Sequence, residues 1–164
     1  MATRPTTDRV REAVFSILGP LHGLRVMDCY AGTGALGLEA LSRGSSQAIF
    51  VESGKAALQV IDQNIATLGV GDRSLVLRCA VERASRALSE KDPIDLILAD
   101  PPWPICHAAA IDTAALAKRV LKPDGVLVLG HPSADPVELA EESGFELTDR
   151  RRWGGSGMSW YAFR

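Results

Sequence analysis

The sequence predicts a single α/β domain with a mostly parallel sheet and helices on both faces. Two observations indicate this class. Apolar runs typical of strands alternate with stretches of helical periodicity, and glycines follow several of the helical stretches. A further observation concerns the C-terminus. The loop Gly154-Gly155-Ser156-Gly157 comes before the alternating segment 158–163, which predicts a β-hairpin that adds an antiparallel edge to the sheet. The length of 164 residues suits one domain.

The first half of the chain supplies three helices and three strands. Thr6-Thr7-Asp8 predicts the cap of a helix that runs to about Leu18, because apolar residues recur on one face. Segments 24–28, 47–51 and 75–79 are short apolar runs that predict strands. Helices are predicted over 35–42 and 55–68, which are followed by Gly44 and Gly69.

The second half continues the alternation. Helices are predicted over 81–88, 108–121 and 137–142, and strands over 94–99 and 126–129. The closing hairpin pairs 145–152 with 158–163. We therefore divide the single domain, 1–164, into an N-terminal helix (1–20), a core (24–134) and a C-terminal helix with hairpin (135–164).

Composition excludes several protein classes. The net charge of −2 argues against a free-standing nucleic-acid binder, and 46% hydrophobic residues argue against disorder. No apolar run is long enough to span a membrane and the N-terminus lacks a signal-peptide core, so a cytoplasmic protein is expected. The three cysteines and three histidines are scattered, which predicts reduced thiols and no metal site. The adjacent pair Cys106-His107 is interpreted as structural.

The segment Asp100-Pro101-Pro102-Trp103 directly follows the predicted strand 94–99. In open α/β sheets, ligands bind beyond the carboxyl ends of the strands, so this segment is expected beside a cleft. The prolines predict a stiff, extended segment from Asp100 to Pro104. A carboxylate, backbone carbonyl groups and an indole together suit a flat heterocycle that carries an NH2 group. The segment therefore predicts methylation of an amine.

The loop 28–37 after the first strand contains a G-x-G-x-x-G pattern at Gly32, Gly34 and Gly37. That pattern alone fits either a dinucleotide or S-adenosylmethionine. Asp28 favours the second, because its carboxylate repels a pyrophosphate but suits an ammonium group. Glu52, at the end of the second strand, suits the ribose of either a dinucleotide or S-adenosylmethionine. We expect Asp28, Glu52 and Asp100 to meet at one edge of the sheet in a cofactor site.

Much of the chain resembles the RsmD-type 16S ribosomal RNA (guanine-N(2)) methyltransferases. The resemblance rests on RPTTDRVREAVF (4–15), GTGALGLEALSRG (32–44), FVE (50–52), DPPW (100–103) and the closing hairpin (153–161). It implies a seven-stranded class I S-adenosylmethionine-dependent methyltransferase (Rossmann-like) fold. It also implies that the aspartate-proline-proline-aromatic segment is the catalytic motif of amino methylation.

The residues and the resemblance together predict the site. The predicted catalytic residues are Asp100, Pro101, Pro102 and Trp103. The predicted cofactor-binding residues are Asp28, Ala31, Gly32, Thr33, Gly34, Gly37, Glu52, Ser53, Ala80, Val81 and Asp100. The implied reaction transfers a methyl group from S-adenosylmethionine to the exocyclic N2 of a guanine in ribosomal RNA. The expected enzyme is a metal-independent monomer that acts on an assembled or assembling small subunit.

The sequence departs from the family at three places. The usual basic hairpin before the Arg4-Pro5-Thr6 segment is lacking, so RNA binding is expected to depend on the larger particle. Family members usually have an acidic residue just after the third strand, where this chain has Cys79-Ala80-Val81-Glu82. The aromatic residue of the catalytic motif is usually tyrosine, and here it is Trp103. Candidate phosphate contacts are Arg4, Arg9, Arg11 and Arg150-Arg151-Arg152.

Four alternatives remain open at this stage. An adenine-N6 methyltransferase acting on DNA or RNA and a protein glutamine methyltransferase share the same chemistry. A degenerate homologue would bind the cofactor without turnover. A nicotinamide oxidoreductase is disfavoured by Asp28 and by the two prolines.

Overall fold

A seven-stranded sheet runs through the computed structural model, which describes residues 7–164. Its strands are β1 (Arg25–Cys29), β2 (Gln47–Val51), β3 (Ser74–Leu77), β4 (Ile94–Ala99), β5 (Leu121–Pro132), β6 (Phe145–Trp153) and β7 (Ser156–Phe163). Their order in the sheet is β3-β2-β1-β4-β5-β7-β6. Strands β1 to β5 pair in parallel, and β7 is antiparallel to both β5 and β6. The predicted sheet and its C-terminal hairpin are confirmed.

Within residues 7–164, four α-helices cover both faces of the sheet: α1 (Asp8–Leu18), α2 (Ala35–Ser42), α3 (Lys55–Leu68) and α4 (Cys106–Val120). Met27 of β1 packs in one core cluster with Ala114 of α4, whereas the preceding Val26 packs in another with Phe15 of α1. Successive side chains of a strand point to opposite faces, so these clusters lie on the two sides of the sheet. This confirms the predicted layers.

The order of the strands creates a crevice beside β1. From β1 the chain proceeds outward through β2 to β3, and it then crosses back to β4 on the other side of β1. Such a reversal opens a ligand-binding crevice beyond the carboxyl ends of β1 and β4. The glycine loop follows β1 and Asp100 follows β4, so both predicted halves of the site border this crevice.

The start of α1 agrees with its predicted cap. The Thr7 hydroxyl accepts a hydrogen bond from the Val10 N–H at 3.2 Å, which satisfies one of the free donors at the helix N-terminus. Thr6 and Arg4 lie outside the described residues. None of the helices formed by residues 7–164 is long and apolar enough to cross a membrane.

The predicted helix over 137–142 is wrong. Only Glu141–Ser143 forms a 3-10 helix there. The buried Val137 uses its carbonyl to accept hydrogen bonds from the Arg150 guanidinium at 2.7 Å and the Tyr161 hydroxyl at 3.1 Å. An α-helix would need that carbonyl for its own backbone ladder, so tertiary contacts replace the helical turn.

The extended segment predicted from Asp100 to Pro104 is shorter than expected. Pro102 is extended, with φ −53° and ψ 136°, but Trp103–Ile105 forms a 3-10 helix. In that turn the Ile105 N–H donates to the Pro102 carbonyl at 3.1 Å. Pro104 is tolerated there because residues at the start of a helix need no backbone donor.

Further elements differ in their bounds or type, among them β1 and α4, which were predicted at 24–28 and 108–121 and differ by one or two residues at each end. Strand β5 is 12 residues long rather than the predicted 126–129, and it includes the turn-like sequence 122–125. Strand β3 lies at Ser74–Leu77 rather than 75–79. The helix predicted over 81–88 is a 3-10 helix at Val81–Ala87.

Candidate functional site

Three carboxyl groups converge at the carboxyl ends of the central strands. Cys29 of β1 pairs with Val51 of β2 and with Ala99 of β4, so Glu52 and Asp100 emerge at the same level. Asp28 lies two residues before that level on β1. Both other acids are close enough for their charges to raise the pKa of Asp28. The strand register confirms that the three acids meet at one edge of the sheet, and their role in binding a cofactor stays a prediction.

Asp28 is almost completely buried, with 1% of its surface exposed. Its Oδ2 accepts a hydrogen bond from the Gly37 N–H at 2.9 Å. Gly37 lies in the first turn of α2, where backbone N–H groups have no partner within the helix. Burial raises the Asp28 pKa to about 8, the Gly37 hydrogen bond opposes that rise, and the charges of Asp100 and Glu52 add to it. Asp28 therefore joins β1 to α2 beneath the glycine loop.

Glu52 holds the glycine loop from the neighbouring strand. Its Oε1 accepts from the Gly32 N–H at 2.8 Å, and its Oε2 accepts from the N–H groups of Ser53 and Gly54 at 3.0 and 2.8 Å. Each carboxylate oxygen can accept more than one hydrogen bond, so this arrangement still suits the hydroxyl groups of a ribose.

The glycine loop leaves open space above its backbone. Gly32 has a φ of +59°, and a Cβ placed on it would meet no atom within 4 Å. Gly34, with a φ of +82°, begins α2. The Ala31 N–H bonds the Val51 carbonyl at 3.1 Å, and the Asn64 side chain of α3 donates to the Thr33 carbonyl at 2.9 Å. The loop is thus held at both ends and open in the middle.

Tyr30 takes an unusual backbone conformation at the start of the loop. Its φ of 56° makes it the one non-glycine with positive φ among residues 7–164. Such a conformation is uncommon outside glycine and is concentrated at ligand sites. Sequence reasoning did not identify Tyr30, because no sequence pattern signals a left-handed tyrosine.

The segment after β3 borders the other end of the crevice. Ala80 is extended and begins the 3-10 helix, and Val81 is buried. The thiol of Cys79 lies near Cys29, whose pKa is raised first by burial and then by Asp28 and Cys79. Cys29 is therefore kept as an uncharged thiol in the core.

The predicted catalytic segment, 100–103, is partly buried. Pro101 is buried and Trp103 is half-buried. Cys106 is buried, whereas the His107 ring bonds Asp135 at 2.9 Å on the surface, so the two side chains lie in different environments. Residues 7–164 contain no cluster of three or more His, Cys, Asp or Glu side chains arranged to hold a metal ion.

The candidate phosphate contacts differ in their availability. The Arg150 guanidinium bonds Ser159, Glu138 and the Val137 carbonyl, which gives it a structural role. Arg151 pairs with Asp149, and Arg152 is exposed.

The two arginines of α1 differ in their surroundings. Arg9 is exposed, and Arg11 pairs with Asp8 at 2.9 Å. Arg11 also lines a surface cleft of about 350 Å³ together with Thr33 and Asn64.

Comparison with known proteins decides the family. The model of the family described as conserved hypothetical protein 95 matches residues 1–162. The chain belongs to this family. The resemblance to RsmD-type enzymes agrees with this assignment, since a Bacillus subtilis relative named "Putative rRNA methyltransferase YlbH" is 36% identical over 99% of this chain and 89% of its own length.

Two further relatives of this conserved hypothetical protein 95 family member come from Escherichia coli. Ribosomal RNA small subunit methyltransferase D of strain K12 is 42% identical over 102 residues, which span 61% of this chain and 50% of that protein. A solved structure described as "Putative methyltransferase yhhF" has a TM-score of 0.80 and 30% identity, covering 98% of this chain and 87% of that chain. The predicted methyltransferase fold is confirmed.

In this family member, Gly37 is required by packing. A Cβ at Gly37 would overlap Cε1 of the buried Phe50 ring and lie 3.0 Å from its Cζ. We expect Gly37→Ala to lower the free energy of unfolding by about 1–2 kcal/mol, because overpacking exceeds the gain of about 1 kcal/mol in helix propensity. Urea unfolding measures this. Gly71→Ala, whose Cβ meets nothing closer than 3.9 Å, is the control, and equal stabilities of the two variants would refute the packing argument.

Proposed function

We propose that this chain is an S-adenosylmethionine-dependent methyltransferase that modifies the exocyclic N2 of a guanine in small-subunit ribosomal RNA. The observation that carries this proposal is the position of Asp100, with its two prolines and Trp103, across the crevice from the glycine loop. The names of the relatives support ribosomal RNA as the substrate.

The polar groups that line the crevice fit S-adenosylmethionine. Glu52 supplies a carboxylate that can accept from ribose hydroxyls, and the Asp28 carboxyl ionises when an ammonium group binds beside it, because a nearby positive charge lowers its pKa. The open backbone at Gly32 gives the ligand room, and Ala80 and Val81 would border the adenine. The bound cofactor supplies an electrophilic methyl group on a sulfonium.

The chain's own residues position the acceptor amine. The lone pair of an exocyclic amine on guanine is delocalised into the ring, which makes the nitrogen a poor nucleophile. The Asp100 carboxylate accepts one N–H, and we assign the second acceptor to the Pro101 carbonyl, since the Pro102 carbonyl already accepts from Ile105. These two bonds favour a pyramidal nitrogen with its lone pair directed at the methyl group.

Proton removal needs no separate strong base. The nitrogen becomes strongly acidic once methylated, so Asp100 or water can take its proton late in the reaction. Trp103 stacks on the base, which must first be exposed or extruded from structured RNA.

We assign recognition of the RNA to several arginines of this chain and to the shape of the larger particle. Phosphate contacts are assigned to Arg9, Arg11, Arg151 and Arg152, because the ion pairs that Arg11 and Arg151 make are solvent-exposed. Arg150 is assigned to the fold because of its three partners. We propose that the substrate is an assembled or assembling small subunit, whose shape supplies the selectivity that a small domain lacks, and that the enzyme acts as a cytoplasmic monomer.

A labelled-methyl assay tests the proposed function. Transfer from S-adenosylmethionine is compared on assembled small subunits, naked ribosomal RNA, DNA and protein, and the product is digested to nucleosides. We expect N2-methylguanosine from the subunit or its RNA. Detection of N6-methyladenosine would show that the target is adenine rather than guanine, and label in protein would show that the target is a protein. Cofactor binding without transfer to any substrate would refute catalysis.

A further inference from the structure

Resting on the proposed function, we infer that Gly130 is a positioning residue for the proposed catalytic carboxylate. Gly130 lies in β5, next to the strand end that carries Asp100. The absence of a side chain at this position leaves the room in which the Asp100 carboxylate lies.

The contact follows from the register of β4 and β5. Ala99 pairs with Leu129 in parallel, so Asp100 and Gly130 come next at the same level. A Cβ placed on Gly130 would overlap Oδ1 of Asp100 and would lie 3.0 Å from its Cγ and 3.3 Å from its Cα. The carboxylate therefore packs directly on the bare Cα of Gly130.

The backbone gives no reason for a glycine here. Gly130 is not among the glycines with positive φ, and it pairs with Met158 of β7 in ordinary ladder geometry. Glycine inside a strand weakens the strand, and it often marks a close approach of another group. At this position that group is the Asp100 carboxylate.

A methyl group at residue 130 would push the carboxylate in an unproductive direction. Strand β1 flanks β4 on its other side, and the buried Asp28 there is within electrostatic reach of Asp100. Displacement toward β1 brings two acids closer together, and displacement into the crevice intrudes on the acceptor amine. A misplacement of about 1 Å of a positioning group costs about 100-fold in rate.

The cost to the fold is expected to be small, because the overlapping atom, Oδ1, is the terminal oxygen of a side chain that can rotate. The backbone of Asp100 needs to yield by only a few tenths of an ångström around the 3.3 Å contact. This separates Gly130 from a residue whose substitution acts by unfolding the domain.

The test is a double-mutant cycle of Gly130→Ala and Asp100→Ala, read by turnover, cofactor binding and thermal unfolding. We expect Gly130→Ala to lower kcat by about 100-fold. The Kd for S-adenosylmethionine should change by less than about threefold. The decrease in Tm caused by Gly130→Ala should disappear in the Asp100→Ala background, because the overlapping carboxylate is then gone.

Gly157→Ala is the matched control. It lies in β7 opposite His131, and its Cβ would overlap Cε1 of His131 rather than any atom of Asp100. Its decrease in Tm should therefore persist in the Asp100→Ala background.

Two outcomes would overturn the inference: wild-type kcat in Gly130→Ala, or a decrease in Tm that Asp100→Ala does not relieve. The thermal cycle needs no substrate. If the wild-type protein methylates nothing, the proposed function fails while the Tm values still decide whether Gly130 fixes Asp100.

Discussion

Asp100→Ala is expected to lower kcat for methyl transfer by about a thousandfold, because the acceptor amine loses the carboxylate that orients it and can take its proton. Cofactor affinity should be largely retained, since Glu52, Asp28 and the glycine loop keep their mutual hydrogen bonds. Steady-state transfer of labelled methyl gives kcat, and titration calorimetry with S-adenosylmethionine gives Kd.

Asp95→Ala provides the matched control on the same strand. Asp95 lies toward the opposite end of β4, where its carboxylate accepts from the Arg25 N–H at 2.8 Å and pairs with the Lys122 ammonium at 2.7 Å. Its loss should reduce stability while turnover per folded molecule stays near the wild-type value. Wild-type turnover in Asp100→Ala would contradict the proposed mechanism.

Asp28→Asn is expected to stabilise the ligand-free protein near pH 8. Burial raises the Asp28 pKa from 3.8 to about 8 in the folded state, so folding takes up a proton between these values. The free energy of unfolding therefore falls as pH rises from about 4 to about 8, and a shift of about four units corresponds to several kcal/mol. Asparagine does not titrate, and its side-chain oxygen can still accept from Gly37.

Urea unfolding of both proteins from pH 5 to pH 9 checks this expectation. The difference in unfolding free energy between Asp28→Asn and wild type should grow with pH and level off above about pH 8. The same variant should bind S-adenosylmethionine more weakly, because the ammonium loses its counter-charge. The exposed Asp62, paired with Arg78, gives a control in Asp62→Asn. A pH-independent difference for Asp28→Asn would contradict the argument.

Elements buried on both faces were predictable from sequence. Strand β4 matches its predicted bounds, Ile94–Ala99, because a continuous apolar run ends at an aspartate followed by two prolines. The segment around Val137 was not predictable. Its local pattern resembles a helix, but the partners of the Val137 carbonyl lie on β6 and β7, more than ten residues away.

The candidate site was also predictable from the sequence only in part. The convergence of Asp28, Glu52 and Asp100 follows from strand ends in a parallel sheet, and sequence reasoning found it. Gly130 was missed because the predicted fifth strand stopped at Leu129. Its contact with Asp100 depends on the pairing of β4 with β5, which the pattern of one strand does not contain.

The hydrogen bonds of Glu52 have a consequence for competition inside a cell. In phosphate-binding loops, free backbone N–H groups attract the anion. Here the Gly32, Ser53 and Gly54 N–H groups already bind a carboxylate that belongs to the chain itself. A nucleoside triphosphate that enters the crevice would have to displace the Glu52 carboxylate from these N–H groups. We therefore expect adenine nucleotides to bind this loop poorly, although the same glycine pattern occurs in sites that bind dinucleotides.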